Sequence, residues 1–198
     1  MSADNPLARF LTRQLGDPPP AVEAWWSQAQ PRDLPRGRML QQAGQPWRHL
    51  WWVEHGALRL YLTDRDGAES NKNFFLDGAI FWPVTPSLLQ SPSMFHVEPL
   101  ENSRVWALPM PAPGTPAPTD GWEPWRLLEH RTLCLLLDHK MQREQEFLQL
   151  NARERYARLL ERHPHWPARI PLRHLASYLG ITDVTLSRLR SEMGLIRG

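Results

Sequence analysis

Apolar positions change their spacing three times along the chain, and each change predicts a different kind of structure. Residues 7–30 place Leu7, Phe10, Leu11 and Leu15, then Val22, Trp25 and Trp26, at helical intervals around a break at 16–20, which predicts one or two short helices. From 39 to 108 the pattern shortens to β-branched and aromatic runs divided by Gly, Asp and Pro. Predicted strands there cover 50–53, 57–63, 69–76, 94–97 and 105–108. Gly56 and the Asp64-Arg65-Asp66-Gly67 stretch supply the turns of two consecutive hairpins. Residues 109–120, mostly Pro and small side chains, lack the apolar content of a core element and are expected to form a linker.

Beyond the linker, 122–150 contains no Gly and no Pro after Pro124, and is rich in Leu, Glu, Arg and Gln, so the longest helix of the chain is predicted there. Leu127, Cys134, Met141 and Leu148 recur every seven residues, with Leu137 beside them, a spacing suited to a seam with a second copy. The companion row of His130, Leu137 and Glu144 is weaker. Packing of the stripe on the chain's own β-domain therefore stands beside the dimer seam as a reading.

The pattern then breaks into short helices. Asn151 followed by Glu154 forms a capping box, and the helix it starts ends before Pro164. After a turn-like segment at 163–167, RIPLRHLASYLGITDVTLSRLRSEMGLI carries two short helical patterns flanking one glycine. Leu175, Ala176, Leu179, Gly180, Ile181, Leu186 and Leu189 provide a small residue for close helix approach, a glycine for the turn, and an apolar interior. An ordinary helical hairpin is the simpler alternative. The fuller reading is a helix-turn-helix that leaves one face of a second helix, 182–192, free for the major groove. Thr182, Asp183, Val184, Thr185, Ser187, Arg188, Arg190 and Ser191 are its candidate DNA-binding residues.

Charge supports that placement, because the segment from 151 onward holds nine Arg against three Glu and one Asp, while the whole chain carries only +2. A basic unit attached to a mildly acidic body is expected when only the basic unit meets a polyanion, although a solvated basic helix has the same composition. With 198 residues, 41% of them hydrophobic, one or two folded domains are expected. The single Cys134 excludes an internal disulfide and a thiolate-rich metal site. The stretch from Met1 to Pro6 has no basic segment leading into an apolar run, and no later stretch has the length of a membrane span. A cytoplasmic protein without membrane association is expected.

The segment RIPLRHLASYLGITDVTLSRLR resembles the DNA-binding end of the Crp/Fnr family of bacterial transcription regulators. NARERYARLLERHP resembles the preceding helix of that family, LWWVEHGALRLYLTDRDGAESNKNFFLDGAIFW its cyclic-nucleotide-binding-like β-roll, and HVEPLENSRVWAL the closing strands. The resemblance covers roughly 35–198. It implies an α+β fold: an antiparallel, jelly-roll-like β-roll sensor domain with its linker in 1–120, a dimerisation helix in 121–150, and an all-α helix-turn-helix domain in 151–198. It further implies a homodimer reading a roughly palindromic double-stranded DNA site, with Arg188 matching the recognition-helix arginine. Asp183 and Val184 depart from the longer polar side chains of better-known members, so no target sequence carries over. No room is expected after the second helix for the β-wing that many members add.

Cyclic-nucleotide-binding members hold the phosphate with a Gly-Glu and a distant Arg-Ser or Arg-Thr pair. Here Gly78 is followed by Ala79 and Ile80, Pro92 and Ser93 occupy the place of the basic pair, and no Lys or Arg occurs from 73 through 103. Burying a phosphate without a cation is costly, so no cyclic nucleotide is expected. Phe81, Trp82, Leu88, Ser93 and Phe95 are instead candidates for an apolar ligand pocket, or for the plug that fills it. Haem on His55, His96 or His130 is raised by the family but by no spacing in the chain, and no cofactor is assigned. A cupin-like metalloenzyme fits poorly, since His49 and His55 are six apart and His163 and His165 lie in a Pro-flanked turn. Ten Trp and the Pro-rich linker leave RNA polymerase or another regulator as a further possible partner, compatible with DNA binding.

Overall fold

The computed structural model describes residues 5–112 and 114–195. Most of the opening segment inspected for an export signal, and the last three residues of the chain, fall outside that range. In chain order the elements are α1 (Pro6–Leu15), α2 (Pro20–Trp26), β1 (Gln30–Leu34), β2 (His49–His55), β3 (Ala57–Thr63), β4 (Glu69–Leu76), β5 (Ile80–Phe81), α3 (Pro86–Gln90), β6 (His96–Pro99), β7 (Ser103–Pro109), α4 (Glu123–Gln149), α5 (Ala152–Arg162), α6 (Trp166–Arg169), α7 (Leu172–Leu179) and α8 (Asp183–Glu192).

The strands form two antiparallel sheets, ordered β1-β7-β2-β5 and β4-β3-β6. Their packing explains why β2 is tryptophan-rich and buried along most of its length. Successive side chains of a strand point to opposite faces. Trp51 and Val53 therefore enter the core shared with Leu58, Phe81, Val97 and Val105, whereas Leu50 and Trp52 form a second core under α1, α2 and Trp125 of α4. Asn5 holds this helical cover in place twice: its side chain accepts from the amide of Ala8 at 3.1 Å and donates to the carbonyl of Trp26 at 2.9 Å. Gly56 turns β2 into β3 at φ +121°, where a Cβ would stand 2.1 Å from Ser103 Oγ and 2.8 Å from its Cα. No side chain fits there.

Besides β5 and α3, for which no element was expected, three regions differ from the sequence expectation. β1 lies where the first helical stretch was expected to be ending, and is held as an edge strand by β7 in the register Gln30↔Ala107 to Leu34↔Ser103. The strand expected at 94–97 begins instead at His96, because the Ser93 hydroxyl bonds both the amide and the carbonyl of Phe95 at 3.0 Å and keeps that stretch in a turn. The turn expected at 163–167 is present at 164–165 but runs at once into α6, whose Trp166 is buried against Phe74. Among the described residues no helix is long and apolar enough to cross a membrane.

α4 links the two halves of the molecule. Near its start Trp125 is buried in the helical cover of the β-roll; towards its end His139, Arg143, Glu146 and Phe147 meet the C-terminal helices. Between these anchors the helix has exposed apolar side chains on several sides.

Candidate nucleic-acid interface

The C-terminal unit is built around a small core of Tyr156, Leu159, Trp166, Ile170, Leu175, Ala176, Leu179 and Leu186. Its first helix starts as the capping box predicts: Asn151 Oδ1 accepts from the Glu154 amide at 3.0 Å and Glu154 Oε2 accepts from the Asn151 amide at 2.8 Å. The turn between α7 and α8 follows from Gly180, in the left-handed region at φ +68°. Ile181 donates to the Ala176 carbonyl at 3.0 Å and Gly180 to the Ser177 carbonyl at 3.2 Å, closing the last turn of α7 as a Schellman motif. A Cβ at Gly180 would also lie 2.7 Å from the Phe147 ring. The glycine therefore serves both the turn and the seating of the unit on α4.

α7 is the docked helix. Its Ser177 hydroxyl accepts from the Asn71 amide at 3.0 Å and donates to the Glu69 carbonyl at 3.2 Å, both on β4. Tyr178 Oη meets His139 Nε2 at 3.1 Å, and Arg143 donates to the Tyr178 carbonyl at 2.8 Å. His174 is buried, with Arg59 Nη1 and Asn71 Nδ2 each 3.4 Å from its Nδ1. Burial first, then the charges of Arg59 and Arg173, push its pKa down to about 4. Arg59 is itself paired, to Glu69 at 2.5 Å and Glu98 at 2.6 Å. Nearby, Arg169 of α6 bridges Asp77 at 2.7 Å and Glu101, and its hydrogen bond lowers the Asp77 pKa.

α8 presents the opposite situation. Its first turn is capped by Thr182, whose hydroxyl accepts from the Thr185 amide at 3.1 Å and lies 2.9 Å from the Thr185 hydroxyl. The Asp183 carboxylate accepts from the Val184 amide at 2.9 Å, adding negative charge where the helix dipole favours it. Leu186 is wholly buried and anchors the helix. Val184, Ser187, Arg188 and Ser191 are exposed, and Val184, Arg188 and Ser191 recur at intervals of four and three on the face away from Leu186. Arg188 has no hydrogen-bond or ion-pair partner among the described residues.

Arg190 is the exception among the eight candidates. It lies four residues from Leu186, on the inner side of α8, where it is only partly exposed and its Nε is buried without a partner among the described residues. The structure therefore separates it from the Arg188 face. The basic excess also shrinks on inspection. Arg158 pairs with Glu161 and Arg162 with Glu146, Arg169 joins the β-roll, and Arg155 caps carbonyls of Leu150 and Leu179. These cations hold the chain together, and much of the positive field read from composition is neutralised internally.

The five candidate seam residues, Leu127, Cys134, Leu137, Met141 and Leu148, are all exposed on α4, Leu148 to 79%. Packing on the chain's own β-domain does not cover them. The five candidate pocket residues do not line one cavity. Phe81 stacks on Phe75 at 4.0 Å inside the sheet core, while Trp82 points the other way, 6.0 Å from Trp125, as consecutive residues leaving a strand do. Leu88 is exposed, Phe95 is half-buried, and the Ser93 hydroxyl is engaged by the backbone of Phe95. Two open grooves, of about 200 and 240 Å³, lie instead between Leu89, Met110 and α4. Of the histidines raised for haem, His96 stacks on Tyr61 and accepts from the Ala43 amide, His130 lies 3.7 Å from the Cys134 sulfur on α4, and His55 closes β2. Among the described residues no group of three His, Cys, Asp or Glu is arranged to hold a metal ion.

Comparison with known proteins agrees with this architecture. Residues 31–112 match the cyclic nucleotide-binding domain family. No curated protein sequence matches the chain. Among solved structures, FixK2 from Bradyrhizobium japonicum superposes with a TM-score of 0.64 at 20% identity, covering 84% of this chain and 85% of its own. The c-di-GMP responsive global regulator CLP from Xanthomonas campestris gives 0.68 at 14% identity, covering 90% and 95%. A structure described as a transcriptional regulator of the Crp/Fnr family, from Eubacterium rectale, gives 0.63 at 15% identity, covering 88% and 82%. At such identities the likeness is one of fold. Residues 31–112 thus match a cyclic nucleotide-binding domain, and the chain as a whole shares its fold with these three solved structures, one of them described as a regulator of the Crp/Fnr family.

Proposed function

We propose that this protein is a sequence-specific DNA-binding transcription regulator in which α8 enters the major groove and Arg188 contacts guanine. The observation that carries the reading is the division of labour inside the helix-turn-helix: α7 spends its polar groups on the β-roll and α4, while the Arg188 face of α8 is exposed and unpaired. A guanidinium matches the two acceptors on guanine's major-groove edge. Two such heads, joined by the exposed apolar side chains of α4 in a homodimer, would read two half-sites. The domain division is 1–120 for the β-roll with its linker, 121–150 for the dimer helix and 151–198 for the DNA-binding unit. The β-roll works without cyclic nucleotides, because 73–103 offers a phosphate neither Lys nor Arg.

The test is capture of genomic DNA fragments by the purified protein, read by sequencing, with and without cyclic AMP and with Arg188→Ala alongside. The expected result is a palindromic motif, unchanged by cyclic AMP, that the variant binds about 1–3 kcal/mol more weakly. A variant that binds the motif undiminished defeats the proposed docking. Enrichment that requires cyclic AMP defeats the account of the β-roll.

A further inference from the structure

Among the described residues, the first turn of α8 contains one side chain with no task inside the chain. Thr182 caps the helix, Asp183 binds the Val184 amide, and the Thr185 hydroxyl is held by Thr182. Val184 is 57% exposed and its isopropyl group takes part in none of the apolar clusters. Neither capping nor helix propensity calls for a β-branched residue at this position. It stands four residues before Arg188, on the same face, at the N-terminal end of the helix.

An isolated exposed valine on most surfaces needs no explanation. At the N-terminal end of a recognition helix, however, side chains meet base edges, and the chemistry of this one is restrictive. Valine forms no hydrogen bond through its side chain, so it reads neither the donor of cytosine nor the donor and acceptor of adenine. The apolar group on the major-groove edge of the base pairs is the 5-methyl of thymine. Residues four apart on a helix stand about 5–6 Å apart, and base pairs rise about 3.4 Å each. The two side chains therefore address pairs about one or two steps apart.

We infer that Val184 reads a thymine through its 5-methyl group, one or two base pairs from the guanine contacted by Arg188. This rests on the DNA-binding reading above and specifies part of its half-site. The experiment begins with the full-length protein selecting sites from random duplexes. Each thymine of the selected half-site is then replaced by deoxyuridine, which removes only the methyl group, and affinity is measured by fluorescence anisotropy. One position is expected to lose about fourfold, the worth of one buried methyl. In Val184→Ala the thymine and uracil duplexes should bind alike at that position, while the guanine requirement persists. If no thymine is sensitive to demethylation, or if Val184→Ala keeps the full discrimination, the inference is overturned while the DNA-binding reading stands. If no site is selected at all, that reading falls and the inference falls with it.

Discussion

α7 and α8 are neighbouring short helices packed on one another, yet they are buried to very different extents. α7 buries His174, Leu175, Ala176, Tyr178 and Leu179, two of them polar, between the unit's own core and the β-roll. α8 buries Leu186 alone. On α7 nearly every polar group has found a partner within the chain, at the cost of desolvating His174 and the Arg59 of β3 that it faces. On α8 the hydrogen-bonding groups of the first turn are used for capping, and the rest of the outer face is left to water. The contrast separates a helix that fixes orientation from one that is free to make new contacts. It also locates the rigidity of the unit: the head is held by its α7 side, so α8 is presented at a defined angle to the β-roll and α4.

The sharpest way to break that contrast is to remove the cation at the centre of the α7 side. Arg59→Ala leaves Glu69, Glu98 and their surroundings without a counter-charge. A fully buried pair broken in this way costs about 3–5 kcal/mol, and the 43% exposure of Glu69 reduces that. A loss of about 3 kcal/mol is expected in urea unfolding, whereas Arg188→Ala, on the free side, should change stability by no more than about 0.5 kcal/mol. Comparable losses in both variants would mean that the two helices are not functionally divided. Gly180→Ala should fall between them. It forces an L side chain into the left-handed region and a Cβ onto the Phe147 ring, for about 1–2 kcal/mol. An Ala variant as stable as the parent would show that the turn relaxes freely and that α8 is not held at a set angle.

The two helices were not equally legible in the sequence. Gly180, Ala176, Leu179 and Leu186 lie within eleven residues, so their spacing alone predicts the turn and the core of the unit. The inward position of Arg190 was also within reach, since it stands four residues from Leu186. The basic composition of the segment drew it into the candidate set regardless. The docking of α7 is a different matter. His174 meets Arg59 across 115 residues, and Arg169 meets Asp77 across 92, pairings that no local pattern announces. β1 escaped for the same reason: Gln30–Leu34 has no strand-like composition and becomes a strand only by pairing with β7. The clear strands, β3 and β4, are those joined by a local turn, where Asp64 Oδ1 accepts from the amides of Asp66 and Ala68 at 2.9 Å. The candidate pocket set could not be resolved from composition, because Phe81 and Trp82 are adjacent in an extended segment and face apart into different apolar clusters.

The smallest expected effect, and the most selective, concerns protonation of the docked face. Donors surround His174 on both ring nitrogens: Arg59 and Asn71 lie 3.4 Å from Nδ1, and Arg173 Nε lies 3.3 Å from Nε2. A neutral imidazole offers one acceptor to this set. A second ring proton would point at a donor, and the adjacent charges of Arg59, Arg173 and Arg36 oppose it further, with only Glu69 in its favour. Because the folded pKa of about 4 lies below the ordinary value of 6.5, the unfolded chain takes up this proton first as pH falls. The contribution of His174 is therefore complete above about pH 6.5 and is lost progressively between 6.5 and 4. His49, His139 and His163 are also shifted down by burial and add losses of the same sign. Glu69 and Asp77, shifted below their ordinary values, add theirs only in more acid solution. The measurement is thus a difference: urea midpoints at pH 7.5 and 5.5 for the parent protein and for His174→Gln. The parent should lose more stability between the two values than the variant, which has no proton to accept at that position. Equal losses would show that His174 carries no pH-dependent share of the docking, and that the α7 face is held by Arg59, Arg143 and Arg169 without it.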